Sequence, residues 1–129
     1  MEQFQNATQF QGEQHWFLMY KVLVKKYGLE VAGLYGYLLD QRKLSYDKTM
    51  DKKNDYNFID EDGIFSLTSY EELEEELCMT EYKIKKCKKI LRDIGLIKEK
   101  RQMNGSNKIY TYDIPAGWEY KYGRKSTIL

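Results

Sequence analysis

Apolar residues recur at helical spacing between Glu30 and about Ser45, where Val31, Leu34, Tyr35 and Leu38 fall at i, i+3, i+4 and i+7. That stripe predicts a helix with one buried side. Gly33 and Gly36 lie inside it at a cost of about 1 kcal/mol each relative to alanine, which predicts another element packed close to the helix backbone. The preceding run, Trp16 to Tyr27, is apolar without a clear period. It fits either a strand or a short helix, closed by Tyr27-Gly28. The following stretch, Tyr46 to Asn57, is polar and rich in lysine and aspartate, the composition of an exposed loop.

Apolar pairs then flank a turn: Phe58-Ile59 and Ile64-Phe65 on either side of Asp60-Glu61-Asp62-Gly63. A calcium loop requires an aspartate five residues before the glycine, and Phe58 stands there, so the acidic residues are read as a turn only. Thr68 and Ser69 open a second helix. Ser69 and Glu72 have capping-box spacing, and Glu71 and Glu72 suit the positive end of the helix dipole. Tyr70, Leu73 and Leu77 form its buried side, and Glu74-Glu75-Glu76 a solvated one. Cys78-Met79-Thr80 is a three-residue turn ending in a good N-cap.

The third helix begins at Glu81. Ile84, Cys87, Leu91 and Ile94 line its core side, while Tyr82, Lys85, Lys86, Lys89 and Arg92 fall opposite. Gly95 ends it. Leu96 to Gln102 and Lys108 to Ile114 read as two strands joined by Met103-Asn104-Gly105-Ser106-Asn107, and Asn-Gly in so short a connection predicts a hairpin. The expected fold is α+β, a winged helix-turn-helix: a three-helix core with a small antiparallel β-sheet that includes the wing. Residues 1–14, with five glutamines, are expected to be a flexible polar arm, 15–114 the winged-helix domain, and 115–129 a tail or linker with Trp118 docked on the core.

Composition narrows the function classes. The 129 residues suit one domain, with 42% apolar and 32% charged side chains. No stretch approaches the roughly 20 apolar residues of a membrane span, and none has signal-peptide flanks, so a cytoplasmic protein without membrane contact is expected. Cys78 and Cys87 fit no disulfide framework or zinc pattern and are read as small, reduced, buried residues. With no phosphate-binding glycine loop, no nucleophile beside a base and one histidine (His15, read as structural), the chain is expected to be no enzyme, with no cofactor and no small-molecule substrate.

Net charge is +1, but the charges are segregated. Asp60 to Leu77 holds eight acidic and no basic side chains, whereas Cys78 to Lys108 holds ten basic against three acidic, or +7. Such segregation predicts a basic face on a nearly neutral molecule. A capped helix with lysines along its outer side matches the major groove in width and brings free N–H groups to phosphates. Double-stranded DNA is therefore the expected partner. Thr80, Tyr82 and Lys85 are placed to reach base edges, and Lys86, Lys89 and Arg92 to meet phosphates. In the wing, Lys100, Arg101 and Lys108, with Asn104, Ser106 and Asn107 near the tip, are expected along the backbone. The competing classes are a phage or plasmid transcription regulator on the same fold and a winged helix used for protein contact. Six basic residues on the third helix disfavour the last.

The order from Gly28 to Ile114 also resembles the N-terminal domain of RepA-type plasmid replication initiators of Gram-positive bacteria. The resemblance is carried by "LEVAGLYGYLLDQRKLS", "NFIDEDGIFSLTSYEELEEEL", "MTEYKIKKCKKILRDIGLIKEKRQ" and "NKIYTYDI". It implies recognition of repeated origin sequences, as a homodimer or multimer on DNA, and help in loading the replication machinery. The helix contacts it implies are Thr80, Tyr82, Lys85, Lys86 and Lys89, and the wing contacts Lys100, Arg101 and Lys108. Initiators of that family are usually longer, so a domain of a larger protein or a short standalone relative is expected. The proline that commonly follows the family's first apolar strand is replaced here by the Lys21-Val22 neighbourhood.

Overall fold

The helix read from Val31, Leu34, Tyr35 and Leu38 is the axis around which everything else is arranged. The computed structural model describes residues 19–102 and 106–115. Among the described residues there are four helices, α1 (Lys21–Tyr27), α2 (Leu29–Met50), α3 (Tyr70–Leu77) and α4 (Glu81–Asp93). Four strands, β1 (Ile59–Asp60), β2 (Gly63–Thr68), β3 (Ile97–Arg101) and β4 (Asn107–Thr111), form one sheet in the order β1-β2-β4-β3. Every pairing is antiparallel. This is an α+β fold with the helix-turn-helix and hairpin of a winged helix.

Residues Val31 to Leu38 of α2 are all buried, because α1, α4, β2 and β4 surround that stretch. A segment enclosed on all sides explains why a one-sided stripe understates its burial. At Gly33 an added Cβ would meet only the Met19 methyl, at 3.9 Å, so the expected close approach is absent there among the described residues. Leu23, Leu73, Ile84, Leu91, Leu96 and Ile109 complete the core around Leu34, Tyr35 and Leu38. Tyr35 lies wholly inside, and its hydroxyl donates to the Tyr112 carbonyl at 2.6 Å. Burial pushes its phenol above the ordinary tyrosine value.

The structure resolves or revises several element boundaries. The ambiguous apolar run is helical over Lys21–Tyr27, its end marked by Gly28 at φ 98°. The loop expected from Tyr46 begins only after Met50, since α2 runs on with a buried Ser45. The Thr49 hydroxyl accepts from the Phe58 N–H at 2.9 Å, tying the far end of the loop to that extra turn. Thr68, expected to open the second helix, is the last residue of β2, and Ser69 alone is the cap. Cys87 is buried as expected, but Cys78 is exposed in the turn before α4. The expected polar arm, His15, Trp16, Asn104 and Trp118 lie outside the described residues.

Candidate nucleic-acid interface

Local sequence signals fix where α4 starts and stops. The Ser69 hydroxyl accepts from the Glu72 N–H at 3.2 Å, opening α3. The chain turns through Cys78 in a left-handed conformation, φ 54°. Thr80 then caps α4 by accepting from the Lys83 N–H at 3.3 Å. At the other end, the Gly95 N–H returns to the Arg92 carbonyl and the Leu96 N–H to the Leu91 carbonyl, at 3.0 and 2.9 Å. Gly95 has φ 82°, the conformation this ending requires and one an L side chain rarely adopts.

Between these ends α4 shows two sides. Ile84, Cys87 and Leu91 are buried, while Tyr82, Lys85, Lys86, Lys89 and Arg92 form an exposed stripe. Tyr82, 74% exposed, has a large apolar ring held in water at the helix start. Lys89 pairs with Asp93 at 2.8 Å, and Lys85 lies 3.9 Å from Glu81 and over the Tyr70 ring. Lys86 has no ion-pair partner among the described residues. Lys83 turns away from the stripe to meet Glu30 of α2 at 3.2 Å. A cleft of about 730 Å³ runs between α4 and the wing. Lys85, Lys89 and Arg92 line one side, Arg101 and Asn107 the other, and Thr68 to Tyr70 its end. The cleft thus joins five of the expected contacts.

Strand alternation divides the wing between two faces of the sheet. The β3–β4 register pairs Arg101 with Asn107 and Glu99 with Ile109 on the face turned to the helices. Lys98, Lys100, Lys108 and Tyr110 lie on the opposite face, away from the cleft. There the acidic turn meets them. Asp62 accepts from Lys98 at 3.0 Å and from Lys100, and Asp60 accepts from the Tyr110 hydroxyl at 2.5 Å and from Lys108 at 3.3 Å. Lys108 also lies 4.3 Å over the Phe65 ring and Lys100 5.6 Å over Tyr110. The turn read as nothing more than a turn is therefore the counter-charge of the wing lysines. The hydrogen bonds from Lys100 and Lys98 hold the Asp62 carboxyl below its usual range. The Tyr110 hydroxyl, with the Asp62 N–H and Lys108, does the same for Asp60 against a smaller effect of burial.

Lys100 and Lys108 are thus engaged by carboxylates on the face remote from α4, whereas Arg101 is exposed and without an ion-pair partner among the described residues. Ser106, beside Asn107, is half-buried.

Two residues with no expected role complete the cleft, Glu99 in its lining and Lys88 behind it. Lys88 is 1% exposed, although it belongs to the most basic helix of the chain. Its ammonium donates to Glu99 Oε2 at 2.8 Å and stands 4.4 Å over the Tyr70 ring. Asn107 donates to the same oxygen at 2.8 Å, and Arg92 Nη1 to Glu99 Oε1 at 2.9 Å. Burial pushes the Glu99 carboxyl up. Lys88, Asn107 and Arg92 together outweigh it and leave the group below the usual range. Two patterns foreshadow this cluster. Glu99 shares its strand face with the buried Ile97, and Lys88 stands at i+4 from Ile84, beside Cys87 and Leu91.

Among the described residues, no helix is long and apolar enough to cross a membrane. Three solved structures share the architecture. One, described as "Structure of Rep-DNA complex", is 25% identical with a TM-score of 0.61, covering 94% of each chain. A second, "N-Terminal domain of DNA binding protein", is 25% identical with a TM-score of 0.59, over 94% of this chain and 93% of that one. A third, "Structure of MDR initiator", shares the fold at 22% identity and a TM-score of 0.57, over 92% and 94%. No curated protein sequence matches the chain at a significant level. The sequence model of the family described as "Replication initiator protein A (RepA) N-terminus" matches residues 13–123. That match takes in every element described above, and the chain belongs to the replication initiator protein A N-terminal family.

Proposed function

We propose that this chain is the DNA-binding domain of a replication initiator, a non-enzymatic protein acting on plasmid or phage DNA in the cytoplasm. It reads duplex sites through α4 in the major groove, with Arg101 and the wing tip on the adjoining backbone. The observation that carries this reading is the cleft, where Lys85, Lys89 and Arg92 face Arg101 and Asn107 across a gap open to solvent. Three cations on a capped helix and one on a strand suit two runs of phosphate flanking a groove. The similarity to a chain solved in a Rep-DNA complex, over nearly the whole length, supports the same assignment.

The finer part of the proposal is specificity for direct repeats, with two or more copies on one natural site. A single winged helix covers a short site, and a nearly neutral molecule can be set beside its copies without strong repulsion. Selection of bound sites from random duplexes tests the first point; the expected result is one enriched motif present as tandem copies in the parent replicon. Analytical ultracentrifugation with duplexes of one, two and three motifs tests the second, with stoichiometry expected to rise with motif number. One protein per duplex throughout would favour a solitary transcription regulator instead.

A further inference from the structure

We infer that Glu99 is a positioning residue for DNA reading. It holds the Arg92 guanidinium and the Asn107 amide on opposite walls of the cleft, and buried Lys88 holds Glu99. The inference rests on the DNA-binding reading and names the part of the cleft that sets its specificity.

A carboxylate is out of place on a surface that meets a polyanion, unless its charge is already taken. Here it is. Lys88 neutralises Glu99 from the core side at 2.8 Å, with side-chain exposures of 1% and 11%. The outward reach of the same carboxylate goes to Arg92 and Asn107. A free arginine on a helix surface samples many rotamers, and ordering it on DNA costs that freedom. Tethered through Nη1, its planar fork is set before DNA arrives, which suits a bidentate partner such as guanine O6 and N7 or a phosphate. Because an ionised carboxylate only accepts, the nitrogen end of the Asn107 amide must face Glu99, so the orientation of that amide is also decided in advance. The tether links α4 to both wing strands, so it also sets the angle between helix and wing.

A purely structural ion pair makes a different forecast, because well-packed apolar residues often replace a buried pair without loss of stability. The test is Lys88→Met with Glu99→Met, compared with wild type by thermal unfolding and by binding to a selected duplex and a scrambled duplex of equal length. The double variant is expected to unfold at or above the wild-type temperature and to bind the scrambled duplex at least as tightly. Its preference for the selected duplex should fall roughly tenfold, the scale of one good base contact. Adding Arg92→Ala to it should cost little more, since Arg92 is already untethered. Undiminished preference in the double variant overturns the inference. Should that variant fail to fold, Arg92→Lys decides. It keeps the charge without the fork, so the preference should drop with the salt dependence unchanged, and a retained preference overturns the inference. A wild-type protein that binds no duplex overturns the DNA-binding reading itself, a distinct outcome.

Discussion

Lys100 donates to Asp62 across the outer face of the sheet, from a residue 38 positions away in the chain. With Lys98 on the same carboxylate and Lys108 on Asp60, three of the wing's cations are balanced by two anions. The basic character of that hairpin is therefore much weaker in the folded protein than in the sequence, and the surplus lies at Arg101.

Removing the counter-charges should release those lysines. Asp60→Asn with Asp62→Asn is expected to strengthen binding to random duplex and to erode the preference for a selected site. Each cation freed for a phosphate steepens the log–log dependence of affinity on salt by about 0.9. Anisotropy titrations at several salt concentrations read both effects. An unchanged slope would mean that the lysines, on the face away from the cleft, do not reach DNA even when released.

The wild-type slope itself follows from the cations on the cleft side. Lys86, Lys89 and Arg101, the exposed cations not assigned to base reading, give about three phosphate contacts and a slope near −2.7 on B-form DNA. Arg101→Ala should reduce it by about one unit and weaken all duplexes alike, whereas Lys100→Ala should hardly change it. Tyr82→Ala and Lys85→Ala should instead lose about 1–3 kcal/mol of discrimination per base contact removed.

The two ends of α4 make a stability prediction independent of DNA. Thr80→Ala removes the hydroxyl that accepts from Lys83 and should cost about 1 kcal/mol, while Thr80→Ser should cost little. Gly95→Ala places a Cβ at φ 82° and should cost about 1 kcal/mol or more. Urea unfolding should show lower midpoints at unchanged m-values, the mark of a change in stability without a change in the surface exposed on unfolding.

Acid should expose the carboxylate pairs. Asp60, Asp62 and Glu99 all have folded-state values lowered from the ordinary range. Their stabilisation is thus fully present above the unfolded carboxylate values, roughly pH 4, and lost as pH falls through the lower folded ones. Unfolding followed from neutral pH downward should show this acid limb. Asp60→Asn with Asp62→Asn should flatten it, although the variant is less stable at neutral pH.

What the sequence disclosed was mostly local. Ser69, Thr80 and Gly95 act within a few residues of themselves, so their caps were legible, as was the buried side of α4. The end of α2 was not, because polar residues past Ser45 lie on a helix face that meets water and resemble a loop in composition. The partners of Asp60 and Asp62 stand on strands distant in the chain, and a charge tally cannot show that Lys100 and Arg101 point to opposite faces. Alternation along Ile97-Lys98-Glu99-Lys100-Arg101 holds that information once the strand is accepted. Lys88 adds to the +7 of its segment in the sequence, but lysine is seldom buried, and only the carboxylate of β3 makes its burial tolerable.

The strand order has a consequence for how the protein is made. β4 lies between β2 and β3, yet it is the last strand among the described residues. During synthesis, α2, α3 and α4 can come together while β2 still lacks its inner neighbour. Closing the loop from Asp60 to Tyr110, 50 residues apart, must wait for β4. A nascent chain stopped short of Asn107 would hold its recognition helix beside an unpaired β2 edge, with Ser66 and Leu67 open to strands of other chains. Ribosome pausing before β4 is thus the moment at which this domain is most exposed to aggregation.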